Sequence, residues 1–205
     1  MPPELTSPHI SVVIGTRPEI VKMAHIVRLM GTQARLIHSG QHTDDELSGV
    51  FLAAAGLPAP HMLTGIRGEP RYAQIGRITE QLGELFARRR PAAVVVQGDT
   101  NTAMAAAQAG NYGGVPVVHV EAGLRSYDRD MPEEINRCVI GVLASLHCAP
   151  TPRAAASLAA EGVPADRIAL TGNTIVEATL AMLPDEAEAR EIVTASGARM
   201  LRSSP

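Results

Sequence analysis

Residues 93–103, AVVVQGDTNTA, decide the fold. Ala93 to Val96 run apolar without alternation, as a strand buried on both faces does. Gly98 breaks the run, Asp99 and Thr100 follow, and an Ala-rich segment from about 101 to 111 reads as a helix. Strand, glycine turn and helix in so few residues make half of a βαβ unit. The same pattern recurs outward in both directions. Towards the amino terminus stand ISVVI at 10–14, ended by Gly15, and a helix EIVKMAHIVRLM entered through Pro18, a residue suited to a first helical turn. That helix keeps Ile20, Ala24, Val27 and Met30 on one side. The strand ARLIHS spans 34–39, and helices are expected at 44–55 and 72–89. Towards the carboxyl terminus come the strand VPVVHV at 115–120, a helix at 133–145, strands near 146–149 and 167–170, and helices at 152–161 and 174–183. Such alternation predicts the α/β class, a parallel sheet with right-handed crossovers and helices on both faces. Residues 8–183 form this domain, and 184–205 are expected to be a frayed or poorly packed tail.

Composition narrows the functional classes. Hydrophobic residues are 45% of the 205, enough for a core, but aromatics are only 2% and Trp is absent, so the core must be aliphatic. A net charge of -3 argues against a nucleic-acid face. The basic run Arg88-Arg89-Arg90 sits where a helix ends, and cations there favour the dipole. Cys138 and Cys148 have neither zinc-site nor dithiol spacing, so no metal is expected. The opening MPPELTSPHI is too polar for a signal peptide, and no apolar run approaches a membrane span. A soluble, cytoplasmic protein with no membrane contact is expected. Lys22 is the single lysine.

In open parallel sheets ligands bind at the carboxyl ends of the strands. Those ends here are Gly15-Thr16-Arg17, Ser39-Gly40-Gln41-His42, Gln97-Gly98-Asp99-Thr100, Glu121-Ala122-Gly123 and Thr171-Gly172-Asn173. GTRPEI lacks the dinucleotide fingerprint and the P-loop lysine, but helix amides with Arg17 and Lys22 suit a phosphate. Asp99 or Thr100 fits a helix cap, and an acid at that strand mouth also fits catalysis. Glu121 directly follows VVHV, so it must be hydrated, paired or functional, and Arg125 or Arg137 is a candidate partner. Glu133 and Glu134 follow Pro132 in a first helical turn, where acids favour the dipole. Carboxylates in unlike environments can divide acid and base work.

Together GTRPEIVKM, SGQH, QGDTNT, HVEAGLRS, MPEEINR, APT and GNTIVEA resemble the non-hydrolysing UDP-N-acetylglucosamine 2-epimerases, in that family's order, over residues 10 to about 180. The resemblance implies two Rossmann-like domains facing across a cleft, as in GT-B glycosyltransferases, of which this chain matches the amino-terminal one and lacks the second. It implies interconversion of UDP-GlcNAc and UDP-ManNAc: UDP is eliminated to 2-acetamidoglucal and re-added after a proton returns on the other face, with no cofactor. The acids matching Asp99, Glu121 and Glu133 are implicated in proton transfer and in UDP departure. The residues matching Arg17 and Lys22 lie near phosphate, and Arg137 and Asn173 extend the substrate-binding set. Gln41 and His42 match the place where bacterial enzymes bind a second, regulatory UDP-sugar, although Thr-Asp-Asp follows here where many relatives have a basic residue. The family's second domain carries most of the nucleotide contacts. The expected partners are therefore a UDP-sugar, a second copy in a homodimer, and a separate polypeptide supplying the second domain. The competing readings are a non-catalytic dimerisation module of the same descent and a GT-B acceptor domain; GDTNT, VEAGLR and PEEINR together argue against the last.

Overall fold

The computed structural model describes residues 8–41, 45–183 and 186–195. In chain order the elements are β1 (Ile10–Ile14), α1 (Arg17–Met30), β2 (Ala34–His38), α2 (Asp45–Ala54), β3 (His61–Met62), α3 (Arg71–Arg88), β4 (Ala93–Gln97), α4 (Asn101–Tyr112), β5 (Val117–Val120), α5 (Pro132–Leu143), β6 (Leu146–Ala149), α6 (Pro152–Ala160), β7 (Ile168–Leu170), α7 (Thr174–Met182) and α8 (Glu186–Ala195). All seven strands pair in parallel in the order β3-β2-β1-β4-β5-β6-β7. The expected α/β class is the observed one. β3 was not foreseen. Two exposed residues carry no periodic signal, and the strand exists through its pairing to Ile37 and His38 of β2.

Side chains that alternate along a strand build two cores. Val13, Val94, Val96 and Val117 join α3, α4 and α5 on one face of the sheet. Val12, Ile14 and Val95 join α1 and α2 on the other. The small residues of α4 have a packing reason. Ala103, Ala105, Ala106 and Ala107 are fully buried, and a Cβ on Gly110 would lie 2.9 Å from the Val117 side chain. Small residues there let α4 sit close against the sheet.

The strand order reverses between β1 and β4, since β1 pairs with β2 on one side and β4 on the other. The turns that leave these two strands diverge to opposite faces and open a crevice at the strand ends. Gly123 sets the exit from β5. It has φ 83, and a Cβ there would stand 2.3 Å from the Ala154 carbonyl oxygen of α6. Gly123→Ala should therefore cost about 3 kcal/mol, from left-handed strain and a backbone collision together. Gly162→Ala is the control, at φ 87 with open space around it, and should cost only about 1 kcal/mol. Urea midpoints of the two variants measure the difference.

Of the segment expected as a tail, 186–195 form the helix α8, whose Ile192 is exposed, and the rest lies outside the described residues. α7 packs on α1 and leaves Val176 and Leu180 exposed, with exposed Leu183 just beyond. Among the described residues no helix is long and apolar enough to cross a membrane.

Candidate active site

The ends of β1, β4 and β5 enclose a cavity of about 340 Å³ at the point where the strand order reverses. Thr16, Glu19 and Lys22 come from the β1 side, Gln97, Asp99 and Thr100 from β4, and Glu121 from β5, with Arg137 of α5 closing the wall. A larger cavity, about 540 Å³, lies at the β2–β3 edge, but its described lining contains no carboxylate.

Two ion pairs organise the smaller cavity. Lys22 Nζ donates to Glu121 Oε2 at 2.6 Å. The Gln97 amide donates to the same oxygen. Glu121 adopts φ 65, which L residues other than Asn and Asp seldom do, at a cost of about 1 kcal/mol. That conformation ends β5 and puts the carboxylate within reach of α1 and β4. The partner of Glu121 is thus neither Arg125 nor Arg137, the two considered from sequence. Arg125 forms a two-pronged pair with Glu161 at 2.7 Å.

Arg137 is the second organiser. Its Nε and Nη2 donate to Asp99 Oδ2 at 2.9 and 2.5 Å, and its Nη1 donates to Glu134 Oε2 at 2.9 Å. Glu134 is 2% exposed and also accepts from the Ser126 and Tyr127 N–H groups, each at 3.0 Å. Burial raises its pKa, but these N–H groups and Arg137 outweigh burial and hold the carboxyl down to about 2. An unfolded glutamate titrates near 4.5, so this stabilisation is complete above about pH 5 and is lost as pH falls from there through 2. The urea midpoint should drop between pH 5 and pH 3, and Glu134→Gln should flatten that drop.

The turn after β4 is held from below. The Nε2–H of buried His119 donates to the Gly98 carbonyl at 2.7 Å. Burial pushes this imidazole down to about 4, so it is a neutral strut at physiological pH. Thr100, not Asp99, caps α4, accepting from the Ala103 N–H at 3.0 Å. That leaves the Asp99 carboxylate to face the cavity.

The remaining expected residues divide. Arg17 starts α1, is exposed, and lies 5.9 Å from the centre of the Phe51 ring. The Gln41 oxygen accepts from Thr102 N and Oγ1 at 2.9 and 2.7 Å, so its carbonyl serves the start of α4. His42 lies outside the described residues. Asn173 caps α7 through the Ile175 N–H at 3.1 Å, beside edge strand β7 and apart from the cavity lining. Glu133 is exposed on the first turn of α5 and makes no ion pair among the described residues. The structure therefore brings Lys22, Asp99, Glu121 and Arg137 together and sets Glu133 outside them. Two site residues escaped sequence reasoning. Glu19 had an available signal, the Thr-x-x-Glu spacing of a capping box from Thr16. Gln97 had none beyond its place at a strand end.

A family model described as UDP-N-acetylglucosamine 2-epimerase matches residues 25–201. The chain belongs to that family. The UDP-N-acetylglucosamine 2-epimerase of Methanocaldococcus jannaschii is 39% identical over 174 residues, which are 83% of this chain and 48% of that protein. The crystal structure of the Methanocaldococcus jannaschii UDP-GlcNAc 2-epimerase in complex with UDP-GlcNAc and UDP superposes with a TM-score of 0.83 at 37% identity, covering 91% of this chain and 53% of that one. That of the Neisseria meningitidis UDP-GlcNAc 2-epimerase bound to UDP-GlcNAc gives 0.83 at 30% identity, with the same coverage of both chains. The chain spans about half the length of the curated relatives it matches. It is a partial epimerase domain, the Rossmann-like half of a GT-B-type architecture.

Proposed function

We propose that the chain is the amino-terminal half of a UDP-GlcNAc 2-epimerase, competent for turnover only when a second domain completes the cleft. The observation that carries this reading is the cavity where the strand order reverses, in which Lys22 with Glu121 and Arg137 with Asp99 pair cations and carboxylates. The chemistry needs both kinds of group. A base takes the C2 proton, the C–H electrons form a C1–C2 double bond, and the C1–oxygen bond breaks with its pair leaving on UDP. Reversal with protonation on the opposite face inverts C2. Cations near the departing phosphate stabilise the charge that builds there, and a positioned carboxylate supplies the base. Lys22 and Arg17 are assigned to the phosphates, and Asp99 and Glu121 to positioning or to the opposite face. The base is assigned to Glu133, because Asp99 and Glu121 are already held by cations. A homodimer and a cytoplasmic setting belong to the same proposal. The exposed apolar residues Val176, Leu180 and Leu183 support a surface that a second domain would cover.

The test is complementation. The purified chain is incubated with UDP-GlcNAc, with and without a separately expressed carboxyl-terminal half of a relative. UDP-ManNAc or 2-acetamidoglucal should form on mixing. Absence of product and of UDP binding under both conditions would favour the non-catalytic module instead.

A further inference from the structure

The mechanism above makes no use of Glu19, a buried carboxylate in the floor of the same cavity. It is 1% exposed and makes no ion pair among the described residues. Its Oε2 accepts from the Gly15 N–H at 2.9 Å and from the Thr16 hydroxyl at 2.8 Å. Its Oε1 accepts from the Thr100 hydroxyl at 2.9 Å. Thr100 Oγ1 already receives the Ala103 N–H, so its own proton is directed to Glu19. A local cap at the start of α1 would account for the bonds to Gly15 and Thr16. It does not account for the bond to Thr100, 81 positions along the chain, nor for burying a carboxylate without a cation, which is costly.

We propose that Glu19 is a positioning residue that ties the β1–α1 turn to the β4–α4 turn and so sets the spacing between Lys22 with Glu121 and Asp99 with Arg137. This rests on reading the cavity as the sugar-nucleotide site. The first turn leads into α1, which carries Arg17 and Lys22, and the second carries Asp99. The ionised form accepts from all three donors at once, whereas on protonation one hydroxyl must turn to accept the carboxyl proton, and a charge-assisted bond becomes a neutral one. Burial pushes the Glu19 carboxyl up to about 7, against the bonds from Thr16, Gly15 and Thr100. Below that value the bond to one hydroxyl would reverse and lose its charge assistance, and the tie would weaken at that end. The charged groups around it are Arg17 and Lys22 on its own helix, Asp99 after β4, Glu121 after β5 and Arg137 on α5. None of them forms an ion pair with it among the described residues.

The test uses the full chain, labelled with nitrogen-15, without ligand. Two signals are followed, the Gly15 amide and the Arg137 Nε–H. In the wild type the Gly15 amide should titrate with a midpoint near neutrality, and both protons should exchange slowly with water. Glu19→Gln should abolish the titration and speed exchange of both protons about tenfold or more, as expected for loss of a charge-assisted bond. Thr100→Val should speed the Arg137 proton likewise, and Thr100→Ser, which keeps the hydroxyl, should restore it. A general loss of stability would not spare the serine variant or remove one titration. If Glu19→Gln does not fold, the Thr100 pair decides. Unchanged Arg137 exchange in a folded Glu19→Gln or Thr100→Val variant would overturn the proposal. Adding UDP in a separate arm tests the cavity reading by itself: wild type that fails to bind UDP refutes that reading, whereas the ligand-free signals judge Glu19.

Discussion

Glu133→Gln, in the chain complemented by the carboxyl-terminal half of a relative, is expected to abolish exchange of the substrate C2 proton with deuterated water while UDP-sugar binding persists. The expected loss is on the order of a thousandfold, the usual scale for a positioned base. Availability separates the three carboxylates. Asp99 accepts two bonds from Arg137, and Glu121 accepts from Lys22 and Gln97. Those bonds fall on one oxygen of each carboxylate, Asp99 Oδ2 and Glu121 Oε2, and fix its orientation towards Arg137 or Lys22. Glu133 has no such partner among the described residues and stands at the exposed start of α5, where the proposed function puts the substrate. Proton NMR of UDP-GlcNAc in deuterated buffer reads the exchange, and titration of UDP reads binding. Exchange retained at the wild-type rate would move the base elsewhere, with Glu121 the next residue to change.

The largest stability loss is expected from Arg137→Met, at about 4 kcal/mol. Methionine fills much of the same space, so packing is nearly conserved. What it removes is the guanidinium shared by Asp99 and Glu134. Glu134 is then a buried carboxylate with two backbone donors and no cation, and its pKa must rise from about 2. Breaking one side of a buried pair costs more than replacing both. Arg137→Met with Glu134→Gln should therefore recover a large part of the loss, and a double-mutant cycle from urea midpoints measures that coupling. If the two losses simply add, Arg137 acts through Asp99 or through packing, and Glu134 is not the reason.

Much of the fold was legible locally. AVVVQ at 93–97 and ISVVI at 10–14 appear as β4 and β1 with the same boundaries, because a strand buried on both faces leaves an uninterrupted apolar run. α4 was legible from its alanines. β3 was not, because two residues have no period. The site was legible in part. Strand-end glycines beside polar residues pointed to Asp99 and Glu121, and the helix start after Gly15 pointed to Arg17 and Lys22; Asp99, Glu121 and Lys22 line the cavity, and Arg17 is not among its lining residues. The same signal pointed to Gln41 and Asn173, whose side-chain oxygens serve helix starts. A polar residue after a strand can cap the next helix or face a ligand, and composition does not separate the two uses.

By itself, then, the sequence determined the alternating α/β class, the strand ends as the place to look, and the family through motifs in fixed order. Those properties depend on residues near one another in the chain. Tertiary structure decided the pairings. Lys22 meets Glu121 across 99 positions, and Glu19 meets Thr100 across 81. It also decided which of two adjacent acids turns inward. One residue along a helix rotates a side chain by about 100°, so Glu134 is buried against Arg137 while Glu133 faces out, and only the docking of α5 on the sheet selects that phase.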